Sequence, residues 1–148
     1  MKIAAAAVLL LFIHVAAAGV CDPGKYRVPT GTTTFVCSSC TAGYYCPGEG
    51  ASIRVSCPQG SYQPYTGQTA CLNCPDGTST AAGGQTTSSS CTQCRAGTAS
   101  RIPSTFFGHT CSTCPSDTFA ASSGASVCTP CPVGTTTSGI FNASLTDS

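Results

Sequence analysis

The chain has 148 residues, 41% of them hydrophobic by count and 7% charged, with 13 cysteines and a formal net charge of +1. Residues 19–148 hold every cysteine but only 16 Leu, Ile, Val, Phe and Met in 130 positions, too few to bury an ordinary core. Five Lys/Arg scattered against five Asp/Glu in that stretch exclude a basic nucleic-acid-binding face.

In chain order, residues 1–18 come first. Lys2 is followed by an apolar run, Ile3 to Val15, broken only by His14, and then by Ala16-Ala17-Ala18. Charge, apolar stretch and small-residue flank form the pattern of a secretory signal peptide cleaved after Ala18. The run is shorter than the roughly 20 residues a bilayer core requires, which argues against an uncleaved anchor. A secreted destination is oxidising, and there a cysteine-dense, core-poor chain is stapled by disulfides.

The cysteines then set a register. Five pairs are C-x-x-C: 37/40, 71/74, 91/94, 111/114 and 128/131. Aligned on the second cysteine of each pair, with Cys57 added, they expose a repeat. It runs Cys57-Pro58-Gln59-Gly60-Ser61, Cys74-Pro75-Asp76-Gly77-Thr78, Cys94-Arg95-Ala96-Gly97-Thr98, Cys114-Pro115-Ser116-Asp117-Thr118 and Cys131-Pro132-Val133-Gly134-Thr135. Looser copies open at Cys21 and Cys40. Proline after the cysteine directs the chain into a turn, and glycine three places on permits positive φ; Asp117, which replaces it once, also tolerates that region. The intervening Ser, Thr, Gly and Ala suit short strands and hairpin loops, with no helical period after residue 18. The expected fold is a small disulfide-rich repeat protein, an elongated array of about six short irregular β-hairpin and loop modules. Its divisions are 1–18 leader, 19–56 N-terminal cysteine-rich modules, 57–130 regular repeats of 17 to 20 residues, and 131–148 an incomplete repeat with a polar tail.

Spacing alone does not fix connectivity. The simplest ladder closes each loop on the first cysteine of the next pair: Cys57–Cys71, Cys74–Cys91, Cys94–Cys111 and Cys114–Cys128, with Cys21–Cys37 obeying the same rule. Cys40–Cys46 then pairs by elimination, while 40–57 and 46–57 stay open. Loops of this size are each worth about 3 kcal/mol. Cys131 is left over, opening a repeat whose closing cysteine does not follow. That predicts a chain continuing beyond Ser148 in its parent product; the alternative is a disulfide dimer through Cys131.

Taken together, Cys40-Thr41-Ala42-Gly43-Tyr44-Tyr45-Cys46-Pro47-Gly48, the Cys57 repeat and the recurrent C-x-x-C-P-x-G-T resemble the ephrin-receptor-like cysteine-rich repeat. They are more distantly similar to tumour-necrosis-factor-receptor and growth-factor-receptor modules. The resemblance spans roughly residues 21–137. It implies extracellular, disulfide-stapled rods that act as spacers or protein-contact surfaces. It carries over Cys57, Cys71, Cys74, Cys91, Cys94, Cys111, Cys114 and Cys128 as bridge formers and Gly60, Gly77 and Gly97 as turn residues. Arg95 and Asp117 depart from its pattern, and it brings no catalytic residues.

Other chemistries fit less well. Paired C-x-x-C motifs also build zinc sites, but a leader, one histidine after residue 18 and no ribbon patterning oppose that. A thioredoxin-like role needs C-x-x-C at a helix start in a βαβ unit. Hydrolysis needs an oriented base, and His109 is expected to be a solvated loop residue. Asp22, Glu49, Asp76, Asp117 and Asp147 are scattered, with Asp76 and Asp117 expected to make local Asx turns. No catalytic, cofactor or metal residue is therefore assigned.

Ser and Thr fill 41 of residues 19–148, with runs at 32–34, 86–90 and 135–137 that suit O-glycans or plain loop polarity. Asn142 heads an N-glycosylation sequon. Tyr44-Tyr45 and Phe106-Phe107 are either contact anchors or covers for a disulfide. The expected function is that of a secreted, non-enzymatic structural or protein-binding module with an extracellular protein partner. The alternatives are a decoy-like or effector-like binder of one partner, and a piece of a larger membrane-anchored surface protein.

Overall fold

A computed structural model describes residues 19–101 and 108–137. The leader, Phe106-Phe107, Asn142, Asp147 and the polar tail lie outside the described residues. Within them, six antiparallel hairpins follow one another, each a two-stranded sheet of its own. Module 1 pairs β1 (Lys25–Pro29) with β2 (Phe35–Ser39), and module 2 pairs β3 (Tyr44–Tyr45) with β4 (Val55–Ser56). Module 3 pairs β5 (Ser61–Tyr62) with β6 (Leu72–Asn73), and module 4 pairs β7 (Thr78–Ser79) with β8 (Thr92–Gln93). Module 5 pairs β9 (Thr98–Arg101) with β10 (Thr110–Thr113), and module 6 pairs β11 (Thr118–Phe119) with β12 (Thr129–Pro130). A seventh module opens at Cys131. The helix among the described residues is one 3-10 turn, Ser88–Ser90, and no helix there is long and apolar enough to cross a membrane.

Two-residue strands cannot stand alone in water, so the turns and the module joints carry the order. Every module begins with the same turn. The N–H of the residue four past the opening cysteine donates to the carbonyl one past it, as Ser61 does to Pro58, Thr78 to Pro75 and Thr118 to Pro115. Where that residue is Ser or Thr, its hydroxyl donates to the same carbonyl at 2.6–2.7 Å, in modules 3 to 7. This explains the hydroxyl in C-P-x-G-[ST]: it doubles the turn's closing bond. The glycine between them has φ of +78° to +91°, near the third position of a type II turn, and Asp117 matches at +61°.

Successive modules interlock through the same turn. The opening cysteine N–H donates to the turn carbonyl of the preceding module at all six joints: Cys40 to Gly24, Cys57 to Gly43, Cys74 to Gly60, Cys94 to Gly77, Cys114 to Gly97 and Cys131 to Asp117, at 2.8–3.0 Å. The turn N–H in turn donates to the residue six past the next opening cysteine. The acceptor there is a backbone carbonyl at Cys46, Gln63 and Ala120 and a hydroxyl at Thr80, Ser100 and Thr137. Buried backbone groups must be paired somewhere, and each joint pairs them with its neighbour.

Modules two apart also touch. A Cβ built on Gly24 would collide with the backbone of Gly67, one on Gly43 with Gly84, one on Gly60 with His109, and one on Gly77 with Gly124. The core is accordingly a chain of small groups: opening cysteines 21, 40, 57, 74 and 94 are at most 2% exposed, with Ser61, Gln63, Thr80 and Ala99 beside them. The large apolar side chains Ile53, Leu72 and Val127 lie outside.

Candidate functional site

Six disulfides join Cys21 to Cys37, Cys40 to Cys46, Cys57 to Cys71, Cys74 to Cys91, Cys94 to Cys111 and Cys114 to Cys128, with Cα separations of 5.4–6.2 Å. Each lies within one module, so the covalent staple closes a hairpin and the hydrogen-bonded joints link hairpins. Cys131 is a half-buried free thiol at the same place in its turn as the earlier opening cysteines. Module 2 is the exception in the ladder. The five regular closing cysteines stand three places before the next opening cysteine, and at that register module 2 has Arg54. Its bridge runs instead to Cys46, at the inward position that Gln63, Thr80, Ser100 and Ala120 occupy in other modules, all of them buried.

Three of the titratable groups, His109, Asp76 and Asp117, lie at contacts between modules. His109 is 7% exposed, so the expectation of a solvated loop histidine is corrected. Gly60 lacks a Cβ, and the His109 backbone fills that space; the N–H of His109 donates to the Gly60 carbonyl at 3.2 Å, beside the Cys74 N–H. Its Nδ1 lies 3.3 Å from Asp76 Oδ1 and has no hydrogen bond of acceptable geometry. The local Asx turns expected of Asp76 and Asp117 are corrected as well. Asp76 faces a later module, and Asp117 Oδ1 accepts the Thr136 hydroxyl at 2.6 Å while its N–H donates to Thr137 Oγ1. Among the described residues no three of His, Cys, Asp and Glu gather in a metal-binding group.

A guanidinium–aromatic cluster covers modules 1 and 2. Arg54 lies 4.4 Å over the Tyr44 ring and 5.9 Å from that of Tyr26, and its Nη1 donates to Thr41 Oγ1 at 3.0 Å. Arg27 lies 4.8 Å over Phe35 and donates to the Gly19 carbonyl. Tyr44 and Tyr45 are half-buried, with Tyr44 seated beneath Arg54. A shallow depression of about 290 Å³ flanks the Cys94–Cys111 bridge, walled by Gln93, Arg95, Thr98 and Thr113. It is open to solvent, and the Thr98 hydroxyl there is already committed to the Arg95 carbonyl.

The family model described as tyrosine-protein kinase ephrin type A/B receptor-like matches residues 55–94 and 107–147, more than half of the chain. The chain belongs to this ephrin-receptor-like family. No curated protein matches it. The first matched stretch takes in modules 3 and 4, the most regular in register, and the second runs from the end of module 5 through modules 6 and 7.

Seen as ephrin-receptor-like modules, the parts that sequence reasoning missed are the inward position six past each opening cysteine and the second glycine of each long loop. Gly67, Gly84 and Gly124 have positive φ and donate their N–H to the Cys40, Cys57 and Cys94 carbonyls. Position six varies among Cys, Gln, Thr, Ser and Ala because a backbone carbonyl or a hydroxyl serves equally, so no residue type marks it. Arg54 was marked: counting back three from Cys57 finds it where a cysteine is due.

Proposed function

We propose that this chain is secreted and works outside the cell as a non-enzymatic, disulfide-stapled array that holds a protein-contact surface at a fixed spacing. The reading is carried by one observation, the repeated joint in which each opening cysteine N–H meets the turn carbonyl of the module before it. Such joints link modules through backbone groups and a few inward hydroxyls and leave outward side chains free for contact. Membership in the ephrin-receptor-like family supports the extracellular setting. The partner is an extracellular protein, and Asn142 carries an N-glycan on the exported product.

The test is intact mass of the exported, deglycosylated chain, alkylated under non-reducing conditions. The expected product begins at Gly19 and carries one alkyl group, on Cys131, with twelve cysteines oxidised. A doubled mass makes Cys131 a dimer link. Many alkylated cysteines, or a bound metal increment, sink the reading.

A further inference from the structure

Module 2 is stapled only in its first half. Cys40–Cys46 closes a short loop and leaves residues 47–56 outside any disulfide ring, whereas the other five bridges each span 14 to 17 residues and reach their module's second strand. The unstapled stretch is held by the two-residue pairing of β4 with β3 and by two backbone bonds to module 1, Gly50 N–H to the Cys21 carbonyl and Arg27 N–H to the Ala51 carbonyl. β4 has no second neighbour in its sheet. On this stretch lie Ile53, 68% exposed, and Val55, 36% exposed, on either side of exposed Arg54.

Arg54 is a cation in want of an anion. No carboxylate lies within salt-bridge distance of it among the described residues. Tyr44 seats the guanidinium at 4.4 Å, with the Tyr26 ring 5.9 Å away. A guanidinium seated on aromatic rings is planar, pre-oriented and weakly hydrated, so it loses little on meeting a carboxylate. Exposed Ile53 and Val55 are its chain neighbours, and in an extended segment they turn to the other face, where they meet the aliphatic neighbours of a carboxylate paired with Arg54.

We propose that residues 52–56 of module 2, with Arg54 at their centre, form a docking edge for an extended segment of a protein partner that presents an Asp or Glu flanked by aliphatic side chains. The strand with the free sheet edge takes the partner's backbone, Arg54 takes its carboxylate, and Ile53 and Val55 take its aliphatic neighbours. This rests on the protein-binding reading above and gives that surface an address.

The experiment selects a displayed library of random linear peptides against the whole oxidised chain. Enriched peptides are expected to carry an acidic residue beside Val, Leu or Ile. Their affinity falls about tenfold or more for Arg54→Ala, falls less for Arg54→Lys, and is unchanged for Ser89→Ala on the exposed tip of module 4. Non-reducing peptide mapping of each variant that recovers the same six disulfides and an alkylated Cys131 shows that the fold is retained. Peptides that bind Arg54→Ala as well as the parent overturn the docking edge and leave the protein-binding reading standing. A selection that enriches nothing overturns both. Enriched peptides without acidic residues also overturn it, since the Arg54 charge is what chooses the partner.

Discussion

The glycine contacts between modules two apart make an asymmetric prediction that one pair of variants tests. Gly24 and Gly67 face each other and both have positive φ, +81° and +69°. An alanine at either position carries the same backbone penalty, about 1–2 kcal/mol. The added methyl meets very different surroundings. At Gly24 it runs into the carbonyl, carbonyl carbon and Cα of Gly67, backbone that no rotamer change relieves, whereas at Gly67 it meets nothing within 4 Å. Overpacking against backbone adds about 1–3 kcal/mol, so Gly24→Ala is expected to cost about 2–5 kcal/mol and Gly67→Ala about 1–2 kcal/mol. Denaturant unfolding of the oxidised protein gives the totals. Native-state hydrogen exchange gives the location, because the Cys40 N–H donates to the Gly24 carbonyl and the Gly67 N–H to the Cys40 carbonyl. Both amides lose protection in Gly24→Ala. Equal costs for the two variants, within about 0.5 kcal/mol, would refute the stacking argument and leave only the turn conformation to explain the glycine.

Three further outcomes follow from the joints. Thr80→Val removes a hydroxyl that accepts the Gly60 N–H at 2.8 Å and donates to the Ala82 carbonyl at 2.9 Å in a site 1% exposed; it should cost about 1–3 kcal/mol, with Thr80→Ser recovering most of it, by chemical denaturation. Asp117→Gly trades relief of left-handed strain against the exposed Thr136 hydrogen bond, so its thermal midpoint should shift by no more than about 1 kcal/mol allows. The double variant Cys40→Ser, Cys46→Ser deletes the shortest loop, and chain entropy assigns it about 2 kcal/mol against about 3 kcal/mol for Cys57→Ser, Cys71→Ser. The reverse order in denaturant midpoints would mean that the Cys40–Cys46 bridge acts through packing.

Much of this architecture was legible because its determinants are local and chemically narrow. A cysteine, a proline and a glycine at fixed offsets have few substitutes, so the turn at Cys57, Cys74 and Cys131 could be read directly, and Asp117 could be recognised as glycine's stand-in. What escaped was set by contacts across 20 residues or more. Gly67, Gly84 and Gly124 each stand ten places past an opening cysteine, a second fixed offset that was present in the sequence but had no local turn motif to mark it. Its reason, an N–H that reaches the carbonyl of the preceding module's opening cysteine, shows only in the fold. His109 was read as solvated because a polar residue in a Gly-Thr loop usually is. Its burial depends on the vacancy that Gly60 leaves two modules earlier. The inward position at Cys46, Gln63 and Thr80 follows a shape and a hydrogen bond, which different side chains satisfy.

The same division of labour explains where a contact surface can arise. Backbone joints and disulfides hold the array, so outward side chains are under little structural demand, and exposed Ile53, Leu72 and Val127 contribute nothing to a core. In modules 1 and 3 to 6 the second strand is tied down by its closing cysteine. In module 2 the cysteine's place is taken by Arg54, and the bridge moves inward to Cys46, where the position was going to be buried in any case. That exchange keeps one disulfide in the module and frees its second strand. Stability then falls to a two-residue ladder, the Tyr44–Arg54 stack and the two bonds to module 1. A strand so lightly held can adjust to a partner at small cost, while the stapled modules on either side keep it in place.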